Sequence, residues 1–508
     1  MFSRLVQYIR QVIHRMFPFK DVEQAEKIET PLSNEMITEL DLWHDMYIGR
    51  PPWLSDVNVK SLNIPALVCS EIARQVTLEL KWNISGKTSE GDDADVTNPR
   101  SEYLKTEFKK LMDNLRMKLE QGCAAGGMTI KPYPKDGHIF FDCSMAWSLF
   151  PVSFGDDGNL TDVVFRDTFQ DGKTTYTRLE RHTVTKDGIK ITQRAFSSQM
   201  RDSIGSEIPL SDVPQWAGVS PEATLQNTDG QMFGWYKVAS ANNIDVDSPM
   251  GVSVFCKATD VIKQADLQYS RLLWEFEGSE LAIDVDPTAL RPKPGDDGKM
   301  ETPRLNDRLF RGVDLNADDT YKVFNPAIRD TSLLAGLNQL MMRIEDLCGL
   351  ARGTLSDQNS EARTATELRI IKQRTYATIA DNQAALERCL RDVVRAMDKY
   401  ASIYNLAPEG DYELSFEWDD SILTDATQQL GERLQLLAQG LMGKVEMRQW
   451  YFGETKAQAE AALEELQAET PDIESLLPSL LTSKAQPGKP AAKQPASKDD
   501  KADGASKG

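Results

Sequence analysis

Leu333-Leu-Ala-Gly-Leu-Asn-Gln-Leu-Met-Met-Arg-Ile-Glu-Asp-Leu347 is followed by Arg352-Gly-Thr-Leu-Ser-Asp-Gln-Asn-Ser-Glu-Ala-Arg363, and then by a long second apolar repeat. In the first segment Leu333, Leu337, Leu340, Ile344 and Leu347 recur every three or four residues. In the last, Leu368, Ile371, Ile379, Leu386, Leu390, Val393, Met397 and Tyr400 keep a similar spacing. Both spacings put the apolar side chains on one face of a helix. The loop between them has one large apolar residue, Leu355, and no catalytic pairing. A polar loop between two rigid helices is the kind of segment that touches something else.

Working outward, a third stripe lies upstream: Phe255, Ala258, Ile262, Ala265, Tyr269, Leu272 and Phe276, ending near Gly278. Residues 279–325 then read as an insertion of short strands (Leu281–Val285, Arg308–Arg311, Tyr321–Phe324) around a Pro/Gly/Asp loop at 292–298. From Met128 to Val238 the texture is β: alternating runs punctuated by Asp-Gly at 136, 157, 171 and 187, the pattern of antiparallel hairpins. Before that the periodicity predicts helices over 33–48, 65–80 and 103–119, with a polar loop at 86–100. After the long helix it predicts a strand at 412–418 and short helices to about Leu480. Residues 482–508 hold almost nothing apolar and read as a disordered tail. Residues 1–19 read as a basic amphipathic helix, with Phe2, Leu5, Val6, Ile9, Ile13 and Met16 on one face. It suits either a membrane surface or a docking site on protein, and the acidity of the whole chain favours docking.

The 508 residues carry a net charge of −20, which disfavours general adhesion to nucleic acid or anionic lipid. From Glu409 to Leu480 sixteen acidic residues face four basic ones, so more than half of that charge is in one block. Six scattered cysteines without CxxC or metal-ligand spacing read as free thiols of a reducing cytoplasm. The sequence shows no run apolar enough to span a bilayer and no signal-peptide pattern, which predicts a soluble cytoplasmic protein.

Catalytic signatures are missing: no P-loop, GxSxG, HExxH, EF-hand loop or zinc spacing. The predicted cofactor and metal are therefore none. The histidines (His14, His44, His138, His182) are far apart and read as ordinary surface or core residues. Asp284-Val-Asp286 has the donors for a divalent metal and Asp419-Asp420 for acid–base work. The favoured readings are structural: a strand end for the first, and for the second the approach to a helix capped by Asp425 and Gln428. Gly122-Cys-Ala-Ala-Gly-Gly127 lies between helix and strand, the reverse of a phosphate cradle, so helix termination and close backbone packing explain it.

Asp247-Ser-Pro-Met-Gly-Val-Ser-Val-Phe255 and Asp266-Leu-Gln-Tyr-Ser-Arg-Leu-Leu-Trp-Glu-Phe-Glu-Gly-Ser-Glu-Leu-Ala-Ile-Asp284 resemble portal proteins of tailed bacteriophages, of the siphophage type found in phages of Gram-positive hosts. Supporting segments are Ser70–Glu79, Gly349–Asp357, Thr364–Glu367, Tyr404–Pro408 and Phe416–Asp420, in an order that extends over roughly residues 1–470. The resemblance implies an α+β portal fold. Its wing would be 1–248, its stem helices 249–278 and 326–348, and its small α/β clip 279–325. The tunnel loop would be 349–365, the long channel helix 366–404, the helical crown 405–480, and 481–508 a tail without counterpart.

It further implies a non-enzymatic ring, usually of twelve subunits, at the capsid vertex of the virion, assembled in the host cytoplasm. Double-stranded DNA would pass through it without sequence specificity, both in packaging and in ejection. Its partners would be the terminase, the head–tail connector or adaptor, and capsid and scaffolding proteins, with no membrane. Mapped onto this chain, Leu355, Asp357, Gln358, Asn359 and Ser360 would face the DNA. Phe255, Ile262, Tyr269, Leu272, Leu337, Leu340 and Ile344 would pack the stem and ring, and Pro292, Gly295 and Asp297 of the clip would meet the connector. Arg352 and Arg363 are expected to pair with acids such as Glu361 or Glu367. Two other classes compete: an acidic cytoplasmic enzyme with an unrecognised site, and an interaction scaffold.

Overall fold

Ser33 caps an early helix: its Oγ accepts the Met36 N–H at 3.2 Å, and α1 (Asn34–Tyr47) runs until Gly49 turns at φ +71° ahead of Pro51-Pro52. This is a computed structural model, and it describes residues 19–87, 98–200, 203–226, 228, 230–285, 293–294, 300–301, 309–312, 321–357, 365–418, 426–452 and 456–469. Expectations for the first 18 residues and for the tail therefore lie outside the described residues. The fold is mixed α+β, with helices and antiparallel sheets as the sequence predicts. The chain forms two compact units, Met1–Leu423 and Thr424–Gly508.

In the first unit α2 (Ile64–Thr77) and α4 (Leu115–Ala125) pack their apolar faces together, burying Val68, Ile72, Leu119 and Cys123. The helix predicted over 103–119 is in fact two, α3 (Pro99–Met112) and α4. Asn98 and Ser101 form a capping box at the start of α3, and Asn114 leaves helical geometry at φ −117°, ψ 2°. A pattern of apolar spacing carries across such a break without showing it. The predicted helix to residue 80 stops at Thr77, and β1 (Leu80–Gly86) follows.

The Asp-Gly steps act as expected. Asp136 and Gly137 take φ of +53° and +79° in the two-residue turn between β2 (Gly127–Lys135) and β3 (His138–Met145). Gly158, Gly172 and Gly188 supply the positive φ between β4 (Leu149–Phe154), β5 (Leu160–Asp171), β6 (Thr174–Thr185) and β7 (Gly188–Ser198). With β8 (Ser206–Ile208) these make one antiparallel sheet, and β9 (Glu222–Gln226) also pairs with β7. A second sheet has the order β10-β2-β3, where β10 is Gly234–Lys237.

Two helices then pack antiparallel: α5 (Thr259–Gly278) and α6 (Asp330–Cys348). At their shared end Glu275 accepts Arg329 Nη2 at 2.7 Å, and Gln268 Nε2 donates to the Leu333 carbonyl at 3.3 Å. The described part of the insertion between them is strands: β11 (Ala282–Val285) lies between β14 (Phe310–Gly312) and β15 (Tyr321–Phe324). A short pair, β12 (Lys293–Pro294) and β13 (Met300–Glu301), stands beside them in sequence.

The 39-residue α7 (Ala365–Ile403) is about 58 Å long. It buries Leu386, Cys389, Leu390, Val393 and Met397, and its backbone passes so close to β10 that a Cβ on Gly234 would stand 2.3 Å from the Cys389 carbonyl. The strand predicted at 412–418 forms as β16 (Tyr412–Trp418). It pairs with β1 in full register, Leu80 opposite Trp418 and Gly86 opposite Tyr412, so it belongs to the first unit and not with the helices that follow it. The described part of the second unit holds α8 (Ala426–Ala438), α9 (Lys444–Phe452) and α10 (Lys456–Glu469), and Leu437, Met447, Tyr451 and Leu463 line an open groove in it.

Candidate functional site

The last turn of α6 carries two adjacent carboxylates, Glu345 and Asp346, and between them they hold the start of the loop. Gly349, at φ +73°, ends the helix where a Cβ would meet Thr378 Oγ1 at 2.4 Å, so α7 passes directly against this point. The chain turns at residues 351–354, with the Thr354 N–H bonded to the Ala351 carbonyl. It then runs back along α6. By Asp357 it is level with Asn338, ten residues before the helix end and about 15 Å along its axis.

Glu345 is fully buried beneath this returning segment. Its Oε1 accepts the N–H groups of Ser356 at 2.8 Å, Gly353 at 3.1 Å and Leu355, while Oε2 accepts Ser356 Oγ at 2.8 Å. Asn338 makes the next contact: its Oδ1 accepts the Asp357 N–H at 2.8 Å and its Nδ2 donates to the Asp357 carbonyl at 3.5 Å. Asp346 faces the other way. It accepts Arg352 Nη2 at 2.8 Å and Arg374 Nη1, on α7, at 3.2 Å. The hydrogen bond from Arg352 holds the Asp346 carboxyl below the usual carboxylate range, and the same contact raises the guanidinium. Arg352 thus pairs with Asp346; Glu361 and the side chain of Glu367, the acids expected to meet it, lie outside the described residues.

Of the five residues expected to face DNA, Leu355 packs partly buried against the main core and Asp357 is exposed. Gln358, Asn359 and Ser360, with Glu361 and Arg363, lie outside the described residues. Sequence reasoning missed Glu345 and Asn338. The signal was there for Glu345, one turn after Met341 and beside Ile344, a carboxylate on the apolar face.

The predicted packing residues of the hairpin sit where the stripes put them. Phe255, Ile262, Leu272 and Ile344 are buried, and Tyr269, Leu337 and Leu340 are half-buried. Phe276 departs from its stripe and is exposed, as are Trp274 (66% exposed) and Leu334. Asp266 lies under the hairpin and accepts Leu62 N–H at 2.8 Å and Trp53 Nε1 at 2.9 Å; burial raises its carboxyl against those bonds.

In the insertion, Asp284 is taken by Arg311 at 2.8 Å, which supports its structural reading over a metal site. Asp286, Pro292, Gly295, Asp297, Asp419, Asp420 and Asp425 lie outside the described residues. Gly126 ends α4 at φ +83°, and a Cβ there would stand 2.6 Å from the Gly251 carbonyl, so the glycine run serves termination and close approach. The three described histidines have structural partners: His44 packs edge-on to Trp147, His138 bonds Glu107 at 2.9 Å, and His182 is buried against Glu180. All six cysteines are free. Among the described residues no cluster of metal donors occurs, and no helix is long and apolar enough to cross a membrane.

Comparison with known families matches residues 83–472 to the model described as phage portal protein, SPP1 Gp6-like. Comparison with curated proteins finds no match.

Proposed function

The chain belongs to the SPP1 Gp6-like phage portal proteins, structural proteins of DNA packaging, and from that premise we propose how its parts divide the work. The protein forms a ring of twelve subunits at the capsid vertex, with residues 1–248 as wing and α5 and α6 (within 249–278 and 326–348) as stem. Residues 279–325 are the clip, 349–365 the tunnel loop, 366–404 the channel helix and 405–480 the crown, whose strand β16 belongs to the first unit and whose helices form the second. DNA enters and leaves through the bore, the clip meets terminase and then the head–tail connector, and capsid and scaffolding proteins surround the ring. The protein has no catalytic role.

One observation carries this reading: an antiparallel helix pair is interrupted by a strand insertion at one end and leads, at the other, into a polar loop tied to its second helix. That order gives a rigid rod with a docking tip and a separate inward-facing loop. The charge agrees. A conduit must not hold what it conducts, and each basic group in the bore would repeat once per subunit and add counterion-release affinity for phosphate. Asp357, Gln358, Asn359 and Ser360 are polar without positive charge, so they exchange hydrogen bonds with a sliding backbone without trapping it. Leu355, packed on the core, serves as the loop's apolar anchor.

Electron microscopy of the purified full chain tests the proposal: rings with a central hole are expected. Monomers or dimers with hydrolytic or nuclease activity would overturn it in favour of an enzyme.

A further inference from the structure

A carboxylate in the last turn of a helix faces the negative end of the helix dipole and is disfavoured there unless donors are brought to it. Glu345 occupies such a place, fully buried, and the ion pairs of that turn are made by its neighbour Asp346. Its donors are instead three backbone N–H groups and one hydroxyl, all from residues 353–356. Taking those N–H groups away would leave a buried charge without partners, and taking the carboxylate away would leave the loop's donors without an acceptor. Each therefore fixes the other. Asn338 extends the attachment to both polar atoms of the Asp357 backbone.

We propose that Glu345 is a positioning residue for the channel loop: its buried carboxylate latches residues 353–357 to α6, so that this segment moves with the stem helix and not with passing DNA. The inference rests on the reading of 349–365 as the tunnel loop. It has a second consequence for that reading. Successive backbone N–H groups converging on one point make an anion-binding nest, and here the nest is filled from inside, so its donors are withheld from phosphate.

The test compares assembled rings of the full chain carrying Glu345→Ala, Glu345→Gln or Asp346→Asn with the unaltered ring. Hydrogen–deuterium exchange of residues 353–356 should be at least about tenfold faster in Glu345→Ala, the change expected from losing a charged hydrogen bond, and intermediate in Glu345→Gln. Asp346→Asn should leave these amides slow. In a packaging assay with terminase, the length of DNA packaged per ATP should fall for Glu345→Ala at unchanged ring yield; a merely structural defect would lower ring yield and leave that ratio alone. If Glu345→Ala does not assemble, Glu345→Gln, which keeps the length and one acceptor oxygen, carries both readouts.

Unchanged exchange at 353–356 overturns the latch. Faster exchange with a normal packaging ratio overturns its role. The double variant Asp357→Lys, Asn359→Lys then separates the two levels: blocked packaging means the latch falls alone, and normal packaging means the channel reading falls with it.

Discussion

Glu180 is the most heavily constrained acid in the β region. Its Oε1 accepts Lys131 Nζ at 2.8 Å and lies 2.7 Å from His182 Nε2, while the Lys131 ammonium sits 4.5 Å from the centre of the Phe165 ring. Burial alone would raise the Glu180 carboxyl, but the charge of Lys131 and the bond to His182 outweigh it and hold the group far below the carboxylate range. Burial lowers His182 against the pull of Glu180. Both shifts have the same sign for stability: the unfolded chain takes up protons first, so stability falls as pH falls. The loss begins below about 6.5 for His182 and below about 4.3 for Glu180. Thermal melts should therefore drop in two stages on acidification. Glu180→Gln leaves the buried Lys131 with only the longer ion pair to Asp142, at 3.8 Å, and should cost about 3 kcal/mol at neutral pH, with the gap to the natural protein closing below pH 4. A gap that stays constant with pH would refute the assignment. The sequence placed all three residues in the β-rich region 128–238 but could not bring them together, because β2 and β6 belong to different sheets. Gly126 was more legible: helix, glycine pair and strand in sequence already imply termination. With φ at +83° and the Gly251 carbonyl 2.6 Å from an added Cβ, Gly126→Ala should lower stability by about 1–3 kcal/mol, measurable as a shift in denaturant midpoint at constant slope.

At the scale of elements, periodicity found the long helices to within a few residues because each buries a continuous stripe over many turns. It missed β1, whose partner β16 lies more than three hundred residues away with no local turn to announce it. It also missed the break at Asn114, because α3 and α4 present apolar faces in nearly the same phase. The α5–α6 pair separates intrachain from interchain packing. Leu272 is buried within the pair, whereas Leu340 is half-buried and Trp274 and Leu334 are exposed in the single chain. A ring closes through one face meeting a different face of the next copy, so outward apolar groups on this helix pair are where that contact is expected. Leu272→Asp should destabilise the fold itself by several kcal/mol, as an unpaired buried charge does. Trp274→Asp should leave the circular dichroism and melting of the chain nearly unchanged yet prevent rings in native mass spectrometry. Intact rings from Trp274→Asp would mean that this end of the hairpin faces solvent and not a neighbour. The insertion gives a parallel case: replacing residues 292–297 with a Gly/Ser linker should keep the rings and weaken connector retention in a pull-down.

For the molecule as a whole, the sequence carried the order of parts (β-rich region, helix, strand insertion, helix, polar loop, long helix), and the described elements follow one another in that order. What composition adds is a rule for passage. With a net charge of −20 the chain has no general attraction for DNA, so a local reversal of charge in the bore should be felt strongly. Asp357 is the test position, since its backbone is clamped at both polar atoms by Asn338 while its side chain is exposed. Changing Asp357 and Asn359 to lysine adds two positive charges and removes one negative charge per subunit, repeated around the ring. If these residues border the DNA, rings should form normally while packaging slows or stops. The block should also ease as salt is raised, because each phosphate contact contributes to a log–log salt slope of nearly one. A fold defect would show the opposite dependence on assembly: fewer rings, with those that form packaging at the usual rate. Normal packaging by intact lysine-bearing rings, at low salt as well as high, would place the loop away from the DNA path and return it to an ordinary connection between α6 and α7.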